Sequence, residues 1–409
     1  MIPAASDFDH LAALDAAHVM QTYARLPIAF VRGSGSRLED SEGRQYLDFL
    51  GGIAVTSLGH AHPEIAAAVA DQVSTLLHVS NLYYNDIQPR VAQRLDALLG
   101  GGGRVFFSNS GAEANECAIK LARRYGQLHG FPGRFHVVSA LGSFHGRTLT
   151  TLAATGQPAK QETFQPLPEG FRQVAFGDVD ALDSALDERV CAVLLEAVQG
   201  EGGVHPASPD YLRQVRKLCD DREVLLVMDE VQTGLGRTGR WFGFEHAGIQ
   251  PDVVTLAKAL GNGMPIGACW ARADIAAAFN PGDHATTFGG QPLAARAALA
   301  ALEVMEREAV PDRARRAGER LRDGLDALPF VTQVRGLGLL LAAELADGCS
   351  DAKAVATACL DQGLIVNAVS PTALRFTPSL LVTDDEIDEA LALLVKAVQS
   401  VDAQIGAKA

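Results

Sequence analysis

Two hydrophobic patterns alternate along most of the chain: short, nearly continuous apolar runs and longer segments with apolar residues at helical spacing. The continuous runs are typical of strands that are buried on both faces. They predict strands at 104–107, 136–138, 192–195, 224–228, 253–257 and 266–270, and the spaced pattern predicts helices at 63–73, 89–99 and 209–220. Strands and helices in this order form a mostly parallel sheet that helices cover on both faces. The sequence therefore predicts an α/β fold.

The pattern differs at the N-terminal end of the chain. Residues 1–62 predict an extended arm followed by short strands, with turn signals at 33–35 and 41–43 that indicate a small hairpin. We expect this segment to pack with the C-terminal part of the chain. The alternating α/β pattern then occupies residues 63–295, which we predict to be one large domain.

The C-terminal part, residues 296–409, has a third pattern. Thr383 and Glu386 cap a last helix with apolar residues on one face. Two long helices and two strand pairs are predicted before it: helices 296–309 and 312–327, broken at Pro311, and strands 331–334 with 339–345 and 364–369 with 374–377. This order predicts a separate, smaller α+β domain.

Composition and charge narrow the class of protein. Of the 409 residues, 48% are hydrophobic and 21% are charged, as in an ordinary globular protein. The net charge of −14 argues against nucleic acid and against an anionic membrane as main partners, because both bind basic surfaces. The six cysteines form no C-x-x-C pair, which is typical of a reduced cytosolic protein. Because the acidic N-terminus is unlike a signal peptide and no apolar run is long enough to cross a bilayer, we predict a cytoplasmic location.

A carboxylate and an ammonium group follow two of the apolar runs. Asp229 comes directly after 225–228, and Lys258 comes directly after 253–257. Ligands of α/β sheets bind outside the carboxyl ends of the strands, and a buried charge is costly unless it is paired or takes part in chemistry. Pyridoxal 5′-phosphate (PLP) requires a lysine for its aldehyde and an acid for its ring nitrogen. A buried ion pair without a ligand is the alternative interpretation.

A helix N-terminus supplies a candidate phosphate site. The strand 104–107 leads to Ser110, which with Glu113 forms a capping box that starts a helix at Gly111. The free amides of Gly111 and Ala112 would then point towards an anion, as they do at phosphate sites on other helix N-termini. A capped helix that binds nothing is the simpler alternative.

Two further pairs of side chains are candidates for ligand binding. Phe144 would stack on a cofactor ring and Arg147 would bind a carboxylate, although a core phenylalanine and a surface arginine are the plainer interpretation. Glu201 lies among glycines on a loop, and Arg375 lies in an otherwise apolar strand. A buried arginine needs a carboxylate partner, which either Glu201 or a substrate would provide.

Two patterns in the sequence point to ligands that we exclude. The segment 234–239 matches G-x-G-x-x-G, but no helix opens at its third glycine, so we predict a tight or mobile loop and no dinucleotide site. His60 and His62 lack a third ligand at a suitable spacing, and we predict no metal site.

With these residues placed, the chain resembles the class III (ω-amino acid) aminotransferases of PLP fold type I. The resemblance runs nearly from end to end, from TYARLP to RFTPS. The motifs that carry it are NSGAEANE (109–116), SFHGRT (143–148), EAVQGEGGV (196–204), MDEVQTGLGRTG (228–239), LAKALGNGMPIGA (256–268) and TTFGG (286–290). It implies a large domain with a mostly parallel sheet, a smaller α+β domain and a PLP-dependent transfer of amino groups.

The resemblance also implies a role for each matching residue at the cofactor. Lys258 would form a Schiff base with PLP and move the proton during the reaction. Asp229 would pair with the ring nitrogen, Gln232 would reach the ring hydroxyl, and Phe144 would stack on the ring. The groups that would bind the phosphate are Ser110, the amides of Gly111 and Ala112, and the partner subunit's Thr287. A homodimer is therefore the implied assembly.

The implied substrates are amino acids and keto acids. Arg147 and Thr286 would meet the donor's distal carboxylate, and Arg375 would bind the α-carboxylate of glutamate once Glu201 moves away. The leading hypothesis is ping-pong transfer of the ω-amino group of N2-acetyl-L-ornithine to 2-oxoglutarate, giving N-acetylglutamate 5-semialdehyde and L-glutamate in arginine biosynthesis. Succinylornithine, succinyl-diaminopimelate, ornithine and 4-aminobutyrate are alternative donors. A PLP-dependent decarboxylase, racemase or aminomutase on the same fold is the alternative from another reaction class.

Overall fold

The computed structural model describes residues 8–346 and 351–406 of the chain. The predictions that concern residues 1–7, 347–350 (with Cys349) and 407–409 lie outside the described residues. Within the described ranges, no helix has the length and the apolar character that crossing a membrane requires. The same ranges contain no group of His, Cys, Asp and Glu side chains arranged to hold a metal ion.

The secondary structure elements follow the order of the sequence. The strands are β1 (Phe30–Ser34), β2 (Arg37–Asp40), β3 (Gln45–Asp48), β4 (Gly103–Ser108), β5 (His136–Ala140), β6 (Phe171–Val174), β7 (Val190–Glu196), β8 (Val198–Gln199), β9 (His205–Pro206), β10 (Leu225–Asp229), β11 (Val253–Leu256), β12 (Gly267–Arg272), β13 (Val331–Leu337), β14 (Leu340–Leu345), β15 (Leu364–Ile365), β16 (Asn367–Ala368) and β17 (Ala373–Phe376). The α-helices are α1 (Phe8–His18), α2 (Gly51–Ala54), α3 (Pro63–Thr75), α4 (Gln88–Leu98), α5 (Gly111–His129), α6 (Leu149–Ala154), α7 (Pro158–Gln161), α8 (Val179–Ala185), α9 (Pro209–Asp221), α10 (Ala273–Ala276), α11 (Pro292–Arg307), α12 (Val310–Asp326), α13 (Ala352–Asp361) and α14 (Asp384–Gly406). Short 3-10 helices lie at Glu162–Phe164, Gly243–Ala247 and Lys258–Leu260.

The central sheet has seven strands in the order β4-β12-β11-β10-β7-β5-β6. The pairs from β11 to β6 are parallel, whereas β12 runs antiparallel to both of its neighbours. Every residue of β7 and β10 is buried, as expected for strands that helices cover on both faces. The predicted α/β class with a mostly parallel sheet is confirmed.

Two hydrophobic cores lie on the two faces of this sheet. Successive residues of β10 alternate between them: Leu226 and Met228 belong to the larger core, and Leu225 and Val227 belong to the core beneath α5. Because both faces are filled with apolar side chains, the polar ends of the strands are the places left for chemistry. The sequence pattern that predicted these strands therefore also predicts where a ligand binds.

The chain builds two smaller sheets outside the central one. β1, β2 and β3 form an antiparallel meander, and β15 adds to β3 in parallel. The N-terminal strands thus pack with the C-terminal part of the chain. The second sheet has the order β13-β14-β17-β16. The strand predicted at 364–369 is divided: its second half pairs with β17 as predicted, whereas its first half pairs with β3 in another sheet.

Three details of the prediction need correction. The N-terminal arm is helical in α1, where no residue is buried, so helix propensity and not an apolar stripe forms this helix. The break before α12 lies at Ala309, which has a left-handed φ of 48°, and Pro311 belongs to the first turn of α12, where no amide is needed. The helix before it, predicted from residue 296, begins at Pro292 and packs on α3 and α4.

The glycine-rich loop 234–239 is buried and links the central sheet to the C-terminal part of the chain. Its Arg237 is 1% exposed. Arg237 Nη1 donates to the carbonyls of Leu339 at 3.0 Å and Pro378 at 2.6 Å, and Nη2 donates to Ser57 Oγ at 3.1 Å. These contacts explain the G-x-G-x-x-G pattern as a tight structural loop.

Candidate active site

The carboxyl ends of two neighbouring parallel strands bring Asp229 and Lys258 together. Asp229 ends β10 and is in register with Thr255 of β11. Lys258 follows β11 and starts a 3-10 turn with a positive φ of 41°. Both side chains line one cavity of about 380 Å³. The cavity therefore lies at the edge of the sheet where α/β proteins bind their ligands.

Most of the side chains that the sequence singled out line this cavity. They are Ser110, Gly111, Ala112, Phe144, Arg147, Glu201, Asp229, Gln232 and Lys258. Arg375 lies directly behind Glu201. The cavity is also lined by residues to which the sequence analysis assigned no role: Val55, Asn115, His145, Glu196, Val231 and Met264.

Three donors hold the buried carboxylate of Asp229. Its Oδ2 accepts hydrogen bonds from Asn115 Nδ2 and His145 Nδ1, both at 2.8 Å, and its Oδ1 accepts from the Val231 amide at 3.1 Å. Asn115 is itself fixed, because its Oδ1 accepts from Thr255 Oγ1 at 2.8 Å. An ionised carboxylate only accepts, so Nδ1 of His145 carries the proton. This arrangement holds a negative charge at the cavity wall.

The pKa of the Lys258 amine is shifted towards neutral pH, which suits proton transfer. Burial lowers its pKa to about 8, although the negative charge of Glu201 acts in the opposite direction. With that pKa, roughly a tenth of the amine is neutral at pH 7, compared with well under a thousandth for an unperturbed lysine. Lys258 can therefore act as a nucleophile and as a base near neutral pH.

A second buried acid, Glu196, lies close to Asp229. Burial, and after it the negative charge of Asp229, raise the pKa of Glu196 well above its usual value. Glu196 Oε2 accepts a hydrogen bond from the Phe144 amide at 3.1 Å. The raised pKa favours the neutral form of Glu196, so Asp229 is the carboxylate that carries the negative charge in this wall of the cavity. The hydrogen bond from the Phe144 amide to Glu196 also fixes the backbone that carries the Phe144 ring.

The N-terminus of α5 contributes backbone amides to the cavity. Ser110 caps the helix by accepting from the Glu113 amide at 3.2 Å. The return contact differs from the predicted capping box, because the Glu113 carboxylate accepts from the Asn109 amide at 2.6 Å and not from that of Ser110. The amides of Gly111 and Ala112 belong to the first turn, where no carbonyl of the helix is available to them. A Cβ on Gly111 would meet Val231 at 2.8 Å, so glycine is required here.

Glu201 and Arg375 form an ion pair at the back of the cavity. Glu201 Oε1 lies 2.5 Å from Arg375 Nη1, and the arginine side chain is fully buried. Gln232 contacts both partners, with Nε2 at 3.3 Å from Glu201 Oε1 and Oε1 at 3.3 Å from Arg375 Nη1. Burial acts to raise the pKa of Glu201, but the charge and the hydrogen bond of Arg375 outweigh it, and the pKa is lowered. Nη2 of Arg375 has no hydrogen-bond partner among the described residues, so the guanidinium can bind a further acceptor.

Thr286 and Thr287 do not line this cavity. They border a separate cleft together with Asn81. Thr286 Oγ1 accepts from the Gly289 amide at 3.1 Å, and Thr287 is exposed. Within one subunit, Thr286 therefore does not line the cavity that Arg147 lines, although the two were expected to bind the substrate together. The role of Thr287 across a subunit interface stays a prediction.

The donor set around the cavity fits PLP. The amine of Lys258, the fixed carboxylate of Asp229 and the free amides at the start of α5 match an aldehyde, a ring nitrogen and a phosphate. The apolar side chains of Phe144 and Val231 line the same space. The alternative of a plain Asp229–Lys258 ion pair is not supported, because Asp229 takes its hydrogen bonds from Asn115, His145 and the Val231 amide.

Fold and cavity together define a PLP-dependent enzyme of fold type I. A family model, aminotransferase class-III, matches residues 19–398 of the chain. The protein belongs to the class III aminotransferases, and PLP is the cofactor of this family.

Sequence and structure comparisons agree with this family. The chain is similar to the acetylornithine aminotransferases of Caldanaerobacter subterraneus, with 49% identity covering 92% of this chain and 96% of that protein, and of Gloeobacter violaceus, with 50% identity covering 92% and 94%. It is also similar to the solved ornithine aminotransferase of Toxoplasma gondii, with a TM-score of 0.93 and 35% identity over 97% of this chain and 96% of that one. The N-acetylornithine aminotransferase of Stenotrophomonas maltophilia gives a TM-score of 0.83 and 37% identity over 96% and 99%.

Proposed function

We propose that this aminotransferase transfers the ω-amino group of N2-acetyl-L-ornithine to 2-oxoglutarate in arginine biosynthesis. The products are N-acetylglutamate 5-semialdehyde and L-glutamate. The observation that carries the proposal is a pair of arginines at one cavity: Arg147 lines the cavity and is exposed, whereas Arg375 is buried behind Glu201, which lines the cavity. Two anion sites of this kind suit a donor and an acceptor with carboxylates in different places. The acetylornithine aminotransferases with 49% and 50% identity support the choice of donor.

The side chains divide the work of the reaction. When bound, PLP supplies an aldehyde that takes up the donor's amino group and a ring that withdraws electrons from the reacting carbon. Lys258 Nζ would hold the cofactor in the resting enzyme and then move the proton, for which a pKa of about 8 suits it. Asp229 would hold a negative charge towards the ring nitrogen, and Gln232 would reach the ring hydroxyl. Phe144 would pack on the ring, and Ser110 with the Gly111 and Ala112 amides would bind the phosphate.

Glu201 selects between the two substrates by covering Arg375. While it is paired with Arg375, the buried guanidinium is neutralised and the ω-amine donor binds through Arg147. When Glu201 moves away, Arg375 becomes available to the α-carboxylate of glutamate or 2-oxoglutarate. The lowered pKa of Glu201 keeps it ionised, so that its movement changes the charge of the site.

Glu201→Ala is expected to shift donor preference towards glutamate. Removing the carboxylate leaves Arg375 permanently uncovered, so the ratio of kcat/KM for glutamate to kcat/KM for N2-acetylornithine rises by about tenfold, the effect of one charge-assisted contact. The two half-reactions are measured separately by the spectral change of the bound cofactor. Glu201→Gln, which keeps the side-chain length without the charge, should shift the ratio in the same direction. Unchanged half-reaction rates for both donors would rule out the switch.

A homodimer completes the proposed site, with the partner subunit's Thr287 at the phosphate. The cleft that carries Thr286 and Thr287 supports this, because large apolar side chains are exposed around it. Leu82 is 85% exposed, Tyr84 100% and Phe288 66%. Apolar surface of this kind is typical of an interface between subunits. We also propose that the protein acts in the cytoplasm, where the cysteines that the structure describes, which are free and buried, remain reduced.

The proposed function is tested on purified protein supplied with PLP. Borohydride reduction should fix the cofactor to Lys258, as mass spectrometry of the peptide that contains it would show. N2-acetylornithine, succinylornithine, ornithine and 4-aminobutyrate are then offered with and without 2-oxoglutarate. We expect the highest kcat/KM for N2-acetylornithine and no turnover without the keto acid. A better donor in this series would replace N2-acetylornithine, and turnover without a keto acid would indicate a decarboxylase, racemase or aminomutase.

A further inference from the structure

A second cation, Lys160, lies beside the Phe144 ring together with Arg147. Lys160 Nζ is 5.2 Å from the ring centroid, and Arg147 Cζ is 5.6 Å from it. Phe144 and Arg147 both line the cavity, and Lys160 is half-buried next to them. Cations at this distance from an aromatic ring are attracted to it, but two of them on one ring also repel each other.

The short helix α7 that carries Lys160 is fixed to the segment of Phe144. Gln157 Nε2 donates to the carbonyl of Ser143 at 3.0 Å, immediately before Phe144. Gln161 Nε2, at the other end of α7, donates to the carbonyl of Thr155 at 2.7 Å. Because both ends are held, the position of Lys160 beside the cavity is a property of the fold.

Neither Arg147 nor Lys160 forms a salt bridge with a carboxylate in the part of the chain that the structure describes. Burial, and after it the charge of Arg147, lower the pKa of Lys160, whereas the charge of Glu201 acts in the opposite direction. Lys160 is thus within electrostatic reach of two residues that line the cavity. Glu201 is held by Arg375, however, so it does not neutralise the two cations.

We propose that Lys160 and Arg147 together bind the carboxylate at the far end of the ω-amine donor, a role that rests on the proposed function. A carboxylate between the two cations accepts hydrogen bonds from both and removes their mutual repulsion. Lys160 is then a specificity residue, which favours amine donors that carry a carboxylate away from the transferred amino group. The α-carboxylate of N2-acetylornithine is such a group.

The test combines a change in the protein with a change in the substrate. N-acetylputrescine is N2-acetylornithine with its carboxylate replaced by hydrogen, so the two donors differ only in the group that Lys160 is proposed to bind. Lys160→Met should lower kcat/KM for N2-acetylornithine by about tenfold, mainly through KM, and change that for N-acetylputrescine by less than about twofold. Lys160→Arg, which keeps the charge, should retain most of the activity. Lys217→Met is the matched control, because Lys217 is 74% exposed and pairs with Asp221 on α9.

A second measurement does not depend on turnover. N-acetylnorvaline has the carboxylate and the acetamide but no amine to transfer, and its inhibition constant should rise by about tenfold in Lys160→Met. An unchanged inhibition constant, or an equal loss of kcat/KM with both donors, would overturn the proposal, the second because it indicates that Lys160 only positions Phe144. Failure of the unmodified enzyme to use N2-acetylornithine would instead refute the proposed function.

Discussion

Lys258→Met is expected to lower the rate of each half-reaction by about 10⁴-fold or more, because it removes both the amine that holds the cofactor and the base that moves the proton. The other titratable residues that line the cavity are Arg147, His145, Glu196, Glu201 and Asp229. None of them has an amine side chain, so none can replace Lys258. Single-turnover measurements with N2-acetylornithine and with glutamate give the two rates. Borohydride treatment should leave the variant without covalently bound cofactor.

The substitution separates chemistry from folding. Methionine is unbranched like lysine and only one atom shorter, and the positive φ of 41° strains both residues alike. We therefore expect the midpoint of thermal unfolding of the cofactor-free protein to be unchanged or slightly raised, because a partly buried ammonium group is lost. A variant that keeps more than roughly a hundredth of the half-reaction rates would show that Lys258 is not the proton carrier.

Asp229→Asn is expected to lower the half-reaction rates by about 10³-fold and to weaken cofactor binding. Loss of the negative charge removes the group that favours a protonated ring nitrogen. The amide also fits poorly: with its oxygen facing Asn115 and His145, its NH₂ group meets the Val231 amide, which is itself a donor. Cofactor binding is measured by dialysis and the rates by single turnover.

Asp252→Asn is the matched control for Asp229→Asn. Asp252 is also a buried carboxylate, but it precedes β11, at the opposite end of that strand from Lys258, and forms ion pairs with Arg216 and Arg272. Its substitution should lower stability, because it weakens a buried ion pair, and leave the half-reaction rates of the folded protein near normal. If the two variants lost rate to the same extent, the loss in Asp229→Asn would reflect a disturbed fold and not the charge at the ring.

The sequence identified those site residues that are charged although they lie within or directly after an apolar segment. Asp229 and Lys258 follow apolar strands, and Arg375 lies within one, so each needed either a partner or a chemical role. The helix start at Gly111 was visible from its cap. In each case a local pattern was enough, and parallel strands bring such positions to one edge of the sheet.

The side chains that position Asp229 could not be predicted in this way. His145 and Asn115 bind the same oxygen of Asp229 from positions 84 and 114 residues away in the chain. Neither residue type is unusual where it stands, so the contact exists only once the chain has folded. Helix geometry gave one signal: Asn115 is four residues after Gly111 and therefore shares its face of α5.

Two elements that the sequence missed differ in the signal they give. β6 (FRQV) is an edge strand whose residues are all only partly buried, so it shows no continuous apolar run. The helix α13 was missed although Asp351 caps it and its buried residues Ala352, Val355 and Ala358 stand at helical spacing. The position of Thr286 could not be predicted for another reason. The cleft that Thr286 borders depends on the path of a loop, and the path of a loop does not follow from hydrophobic periodicity.

The guanidinium of Arg237 connects the central sheet to the C-terminal part of the chain and so restricts how these two parts can move relative to each other. Its Nη1 donates to the main-chain carbonyls of Leu339 and Pro378. Moving these segments away from Arg237 would leave a buried positive charge without these hydrogen-bond partners, at a cost of several kcal/mol. An opening of the enzyme that separated these segments would therefore have to break these hydrogen bonds. Arg375 lies on β17, three positions before Pro378, so the same connection also limits how far Arg375 can move.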